Sequence, residues 1–280
     1  IFFEDVKVKV IANGYIAGEL LFEFVTVPAG EYTYGPGDTV LTIDYDYEIM
    51  KYEVTNAQYV EFLIEANENG EVWISGSGSQ VQGFYPGDEH YDGGYYNLYA
   101  LGESSENYNY GQINWNGTAF IVTEGYGDHP AVYMTWFGAY KFAEQYELRL
   151  PTEQEWEKAA RGNTGYDYPW GNSIDGSRAN YTNSGDPWDN GTTPAGFFNG
   201  QNYEGFQTTD SPSPYGAYDM AGNVWEWTDN WYNENSSNRV RRGGSWFYDS
   251  NSCPSWYRYS DYAYYSLNHV GFRLVRTISE

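Results

Sequence analysis

Between residues 162 and 216 the chain is dominated by Gly, Asn, Asp, Pro and Tyr. So long a stretch without apolar periodicity cannot be held by strand ladders or by a helix. It is expected to be ordered by packing against the rest of the molecule and by ligands, with turn-forming side chains satisfying the local backbone. Three segments of helical period supply something to pack against. Thr55 and Gln58 fit a capping box ahead of a face made by Tyr59, Phe62, Leu63 and Ala66. "TWFGAYKFAEQYE" predicts a second helix. "LPTEQEWEKAARG" predicts a third, with Thr152 and Glu155 as a capping box and Gly162 as its stop. There Glu153 and Glu155 suit the positive end, and Lys158 and Arg161 suit the negative end.

The remaining order reads as short strands: "VKVKVIANG", "LLFEFVTVPAGEYTYG", "GNVWEWTDNWY", "RVRRGGSW" and "VGFRLVR". Residues 70 to about 126 are rich in Gly, Tyr, Asn and Ser, and read as an insertion of loops and short strands. Few helices, short strands and long loops predict an α+β domain that occupies 1–280 as one unit.

A net charge of -25 repels phosphate backbones and anionic lipid, so nucleic acid and membrane surfaces are not expected partners. The one cysteine, Cys253, excludes an intrachain disulfide, a thiolate metal cluster and CxxC redox chemistry. His90, His129 and His269 are far apart, without metal-ligand spacing. The "GSGSQ" at Gly76 is a turn, not a nucleotide site, and no Ser–His–Asp order is visible. No apolar run reaches 18 residues, so no membrane-spanning helix is expected.

One stretch departs from the rest in kind. Residues 247–269 hold six tyrosines, five serines, two aspartates and two asparagines, and no Lys, Glu, Gln, Met or Thr. Tyrosine is 6 of those 23 residues against 31 of 280 overall, more than a twofold excess. Tyr offers large, rigid, amphipathic contact area, and Ser and Asn offer adaptable hydrogen bonds, which is the composition of an antibody paratope. The competing reading is a chain rich in tyrosine everywhere.

Eight segments, in order, resemble the formylglycine-generating enzyme (sulfatase-modifying factor) family. They are "VTVPAGEYTYG", "KYEVTNAQYVEFL", "HPAVYMTWFGAYKFAE", "LRLPTEQEWEKAARG", "YPWGN", "YDMAGNVWEWTDNWY", "RRGGSW" and "GFRLVR". The resemblance implies a C-type-lectin-like fold with small mixed sheets. The family's aerobic oxidases use two copper-binding cysteines after the GGS motif. Cys253 falls on the second position and Tyr248 on the first, so copper is not expected here. Ser245 and Trp225 match positions near that active site and read more readily as fold residues. The resemblance also implies structural calcium, with Asn180, Asp219 and Glu226 as ligands by position and Asp186 or Asp189 as further candidates.

The C-terminal stretch is most similar to the variable proteins of diversity-generating retroelements, in which AAC codons are copied with their adenines randomised. Aligned on Trp246, Cys253, Arg258 and Gly271, the resemblance implies variable positions at Phe247, Tyr248, Asp249, Asn251, Ser252, Tyr257, Tyr259, Ser260, Asp261, Tyr262, Tyr265, Leu267, Asn268 and His269. Each is a product that AAC can give; Pro254 and Trp256 depart from the pattern. The leading expectation is a binding protein without catalytic residues. Its variable side chains point outward, and Trp246, Val270, Phe272 and Leu274 anchor the backbone. The implied ligand is a protein or glycan on another cell, and the implied setting is extracellular, at a cell surface or on a virion. The alternatives are a copper-dependent oxidase of sulfatase cysteine and a structural or accessory domain without a specific ligand.

Overall fold

Tyr59, Phe62, Leu63 and Ala66 are all buried, so the predicted apolar face of the first helix is a core face. The computed structural model describes residues 22–102, 111–188 and 190–278. It adds the backbone of two short ribbons, Ile11–Ala12 with Tyr15–Ile16 and Ser104–Ser105 with Tyr108–Asn109. Apart from Ile11 and Ala12, the alternating run expected near the start lies outside the described residues, apart from that ribbon.

In chain order the main elements begin with β1 (Phe24–Val27), β2 (Gly30–Tyr34), β3 (Thr39–Ile43), β4 (Tyr47–Met50) and α1 (Asn56–Glu68). There follow β5 (Val72–Ile74), β6 (Gln80–Tyr85), β7 (Gly94–Ala100), β8 (Ile113–Trp115), β9 (Phe120–Val122), α2 (Trp136–Gln145) and α3 (Glu153–Arg161). The last part holds β10 (Trp225–Trp231), β11 (Asn238–Arg242), β12 (Arg258–Tyr262), β13 (Val270–Gly271) and β14 (Val275–Thr277). This is the α+β class that the sequence predicts. Both expected capping boxes are present, Thr55 with Gln58 and Thr152 with Glu155. Gly162 ends α3 at a φ of 57°.

Three sheets matter for the site. β4 is central to the first, with β1 and β14 antiparallel on either side, so residues 275–277 pair with a strand more than 220 positions earlier. The second has the order β12-β11-β10-β13, with only β13 parallel to its neighbour. β5, β6 and β7 form the third within the expected insertion, and Val72, Val81, Tyr85 and Leu98 bury its inner face in the main core. Among the described residues of 162–216 there is one two-stranded ribbon, Asn202–Tyr203 with Phe206–Gln207, and an isolated bridge between Tyr168 and Gly171; the rest are turns and loops.

The charged residues of α3 do more than match the helix dipole, because Glu153, Glu155, Glu157, Lys158 and Arg161 are all buried. Arg161 pairs with Glu157 at 2.7 Å, Arg258 with Glu153 at 2.7 Å and Arg149 with Glu155 at 2.6 Å. Arg242 joins this set through Glu157. On the α3-facing side of β10, Arg273 grips Glu226 with two bonds of 2.8 Å, both side chains fully buried. Arg273 also donates to the carbonyls of Met50, Lys51 and Tyr218, and Trp156 Nε1 donates to Glu226 at 2.7 Å.

No helix among the described residues is long and apolar enough to cross a membrane. Removing one member of a buried pair strands the other charge at a cost of about 3–5 kcal/mol. Arg273→Met should therefore lower the unfolding free energy by about that amount in urea denaturation. A loss below about 1 kcal/mol would show that the pair is dispensable.

Candidate functional site

Alternation along the second sheet sorts its side chains into two faces. Glu226, Arg242 and Arg258 face α3, where Trp156, Glu157 and Glu153 meet them. Trp225, Trp227, Arg241 and Tyr259 have the opposite parity, with Arg241 paired to Trp227 on one side and to Tyr259 on the other. That second face carries the candidate site.

The segment between β11 and β13 is tied down at its ends and in its middle. Trp246 is 4% exposed, its backbone N–H donates to Asn223 O, and its Nε1 donates to Asn268 O at 3.3 Å. Cys253 is fully buried beneath Gly244, whose φ is +78° and where an added Cβ would lie 2.8 Å from the Cys253 sulfur. β12 pairs along β11, Trp136 N–H donates to Ala263 O, and Tyr133 N–H donates to Leu267 O. Val270, Phe272 and Leu274 are fully buried.

Between these ties the side chains turn outward. Phe247, Tyr259, Tyr262 and Tyr265 are exposed, as are Asp249 and Asn251. Tyr248, Tyr257, Ser260, Asp261, Leu267 and Asn268 are half-buried. Ser252 and His269 depart from the outward expectation, since both are buried. Ser252 donates to Asp249 O inside a short 3-10 turn. His269 lies under Phe247, its ring stacked at 5.3 Å, on a residue whose carbonyl accepts from Trp225 N–H. Tyr264, not among the expected positions, is exposed and stacks on Tyr262 at 5.2 Å.

Trp225 is the floor of this surface, with Tyr248, Tyr257 and Tyr259 each at a ring separation of 6.1 Å. The Arg241 guanidinium lies 5.3 Å from the Trp225 ring centroid and 4.9 Å from that of Tyr259. It pairs with Asp261 at 2.8 Å. Burial, reinforced by Arg241, pushes the His269 imidazole down to about 3. Burial also raises the Asp261 carboxyl, an effect that Arg241 opposes. Arg241 is not expected from composition. Its signal is the alternation in "RVRRGGSW", which sends Arg241 and Arg242 to opposite faces of one strand.

The residues expected to hold calcium take other partners. Both Glu226 oxygens accept from Arg273, and Trp156 adds a third bond. Asp219 accepts from Gly196 N–H at 2.5 Å, and burial raises its carboxyl to about 6. The Asn180 amide donates to Gly191 O. Asp186 accepts from Ser184 and from Trp188 N–H, and Asp189 lies outside the described residues. Among the described residues no group of three or more His, Cys, Asp or Glu side chains is placed to hold a metal ion. These side chains do not fit a calcium cage. Nor does the chain fit the copper pair: it has a single cysteine, and burial pushes that thiol up to about 12.

His269 yields a test by titration. An exposed ring titrates near 6.5. In an NMR titration His269 should show no midpoint there and remain neutral down to about pH 3. The unfolded chain takes up a proton below about 6.5 while the folded ring does not, so this residue removes stability as pH falls from there toward 3. A midpoint near 6.5 would place the ring in solvent.

A family model, the sulfatase-modifying factor enzyme 1-like domain, matches residues 18–278. The chain is similar to the serine/threonine-protein kinase Pkn1 of Chlamydia trachomatis serovar L2, 32% identical over 254 residues, which cover 81% of this chain and 34% of that protein. It is similar to the inactive C-alpha-formylglycine-generating enzyme 2 of Bos taurus, 39% identical over 124 residues, 42% of this chain and 39% of that protein. It is also similar to the formylglycine-generating enzyme of Mus musculus, 32% identical over 149 residues, 47% of this chain and 38% of that protein. In each case the match spans well under two thirds of the relative's own length. Among solved structures, Treponema denticola variable protein 1 has a TM-score of 0.58 at 20% identity, covering 93% of this chain and 97% of that one. PvdO from Pseudomonas aeruginosa has a TM-score of 0.62 at 18% identity, covering 92% and 95%. The fold is thus C-type-lectin-like, of the formylglycine-generating type, and the chain belongs to the sulfatase-modifying factor enzyme 1-like family.

Proposed function

We infer that this chain is a ligand-binding protein rather than an enzyme, and that its recognition surface is the outward-facing part of 247–269. The observation that carries this reading is a backbone held at Trp246, Ala263, Leu267 and Val270, with an exposed tyrosine-rich face between the ties. Such an arrangement lets surface side chains change while the fold stays, as a protein diversified by a retroelement requires. The fold it shares with a protein named as variable is in keeping with this. Membership of the family does not argue for catalysis by itself, since one relative is named as inactive. The oxidase alternative needs a thiolate pair, which a single buried cysteine cannot supply.

The ligand class that suits aromatic rings mixed with Ser, Asn and Asp is a protein or glycan surface, presented by another cell to an extracellular, cell-surface or virion-borne receptor. In the gene's neighbourhood, a reverse transcriptase and a near-copy of the 3′ coding segment with AAC at the variable positions should be found. Intact flanking sequence without either would remove the retroelement from the account.

Two measurements test the separation of display from folding and from catalysis. Surface substitutions shift stability by under about 0.5 kcal/mol each, whereas truncating a buried aromatic costs about 3–5. Replacing Phe247, Tyr262 and Tyr265 together by Ser should leave urea unfolding near that of the unsubstituted chain, while Phe272→Ala should be far less stable. Equal losses would make these rings core. Incubated with Cu(I), oxygen and a sulfatase-motif peptide, the protein should form no formylglycine; turnover above a protein-free control would overturn the non-enzymatic reading.

A further inference from the structure

Arg241 lies at the centre of the proposed surface, although it is not one of the variable positions. Its side chain is only 2% exposed, and four of those positions reach it. Asp261 Oδ2 is 2.8 Å from Nη2, and the Tyr259 ring centroid is 4.9 Å from the guanidinium carbon. Tyr248 is near enough to act on its charge. His269 Nδ1 lies 2.7 Å from Asn268 Oδ1 and donates to it, which leaves Nε2 to accept from Arg241 Nη1 at 3.4 Å.

The fixed groups at this spot offer donors. Arg241 Nε and Trp225 Nε1 are both buried without a hydrogen-bond partner among the described residues. Among the described residues, the one carboxylate that answers the guanidinium here belongs to Asp261, itself a proposed variable position. A guanidinium buried this far is costly unless an anion meets it. The chain's net charge of -25 would repel an anionic ligand at long range. At physiological salt that field is screened within roughly 8 Å, so the local guanidinium decides.

We propose that Arg241 and Trp225 form a fixed carboxylate-binding subsite beneath the variable surface, and that residue 261 decides whether it is filled from within or by the ligand. This rests on reading 247–269 as a recognition surface. With Asp at 261 the guanidinium is paired internally, and the face offers a ligand rings, hydroxyls and amides. With Asn, Ser or Tyr, which the same codon can yield, the fork opens to a carboxylate from outside. One variable position then switches the class of ligand that the whole face accepts, in steps no tyrosine substitution makes.

The test is chemical rescue, with sodium formate as the probe and sodium chloride at equal ionic strength as the control. Asp261→Ser should melt below the unsubstituted chain in chloride and regain its melting temperature in formate. The unsubstituted chain should show no formate-specific gain, because Asp261 already fills the subsite. Asp261→Ser with Arg241→Gln should lose the rescue, with an apparent formate affinity at least about tenfold weaker than that of Asp261→Ser alone. If Asp261→Ser does not fold, Asp261→Asn, of equal size, carries the same comparison.

Acetyl-aspartate amide and glucuronate in place of formate separate a peptide carboxylate from a sugar acid as the natural source. A formate gain equal in all three proteins, or absent from the position-261 variants, would overturn the subsite. These outcomes are independent of the recognition reading. Rescue can succeed in a protein that recognises no ligand, and it can fail in one whose tyrosines still do.

Discussion

The grip of Arg273 on Glu226 organises this molecule. It is a bidentate pair without solvent contact, and Arg273 spends its remaining donors on the carbonyls of Met50, Lys51 and Tyr218. Those carbonyls belong to the end of β4, the residue after it and the loop that leads to β10. Trp156 brings α3 to the same carboxylate. One side-chain pair thus joins the first sheet, the second sheet, a helix and the long irregular region. Its strength comes from completeness: a buried ion pair is stabilising in proportion to how fully its hydrogen bonds are met, and here the polar atoms of both partners are engaged. The same completeness takes Glu226 out of any metal site.

The second sheet divides its work by parity. Glu226, Arg242 and Arg258 meet α3 through Trp156, Glu157 and Glu153, and Trp225, Arg241 and Tyr259, of the opposite parity, make the aromatic and guanidinium floor of the candidate surface. The ionic face holds the sheet from behind, while on the other face Trp225, Trp227 and Arg241 are buried and Tyr259 is exposed. Loops alone would be mobile, whereas here β12 carries Tyr259, Ser260 and Asp261 on a paired strand.

Much of this was legible in the sequence, and the reasons differ by element. α1 and α3 announce themselves through capping boxes and spacing, which are local and need no tertiary knowledge. The anchors Trp246, Val270, Phe272 and Leu274 read as apolar residues bounding a polar run. The burial of Glu153, Glu155, Glu157 and Arg161 was not legible, because charge on a short helix normally means a solvated face. Arg242 and Arg258 of β11 and β12, remote in sequence, complete the pairing that Arg149 and Arg161 begin and make it a core. Ser252 and His269 were misread for a related cause. Codon logic says which residues a position can hold, whereas burial is settled by the path of the backbone. Glu226 looked like an oxygen ligand because its type and position suited one, and nothing nearby in sequence reveals Arg273.

The tyrosine-rich segment lies ahead of the last described elements of the fold rather than at their end. β13, Arg273 and β14 all follow it, and each closes something begun much earlier in the chain. A polypeptide that stops anywhere in 247–269 lacks the outer strand of the first sheet and the partner of a buried carboxylate. It leaves β4 with an open edge and Glu226 with an uncompensated charge in the core. The architecture therefore acts as a proofreader of length. A chain can hold its surface in the native shape only if the ribosome has read through the whole segment, in frame, to the final strand.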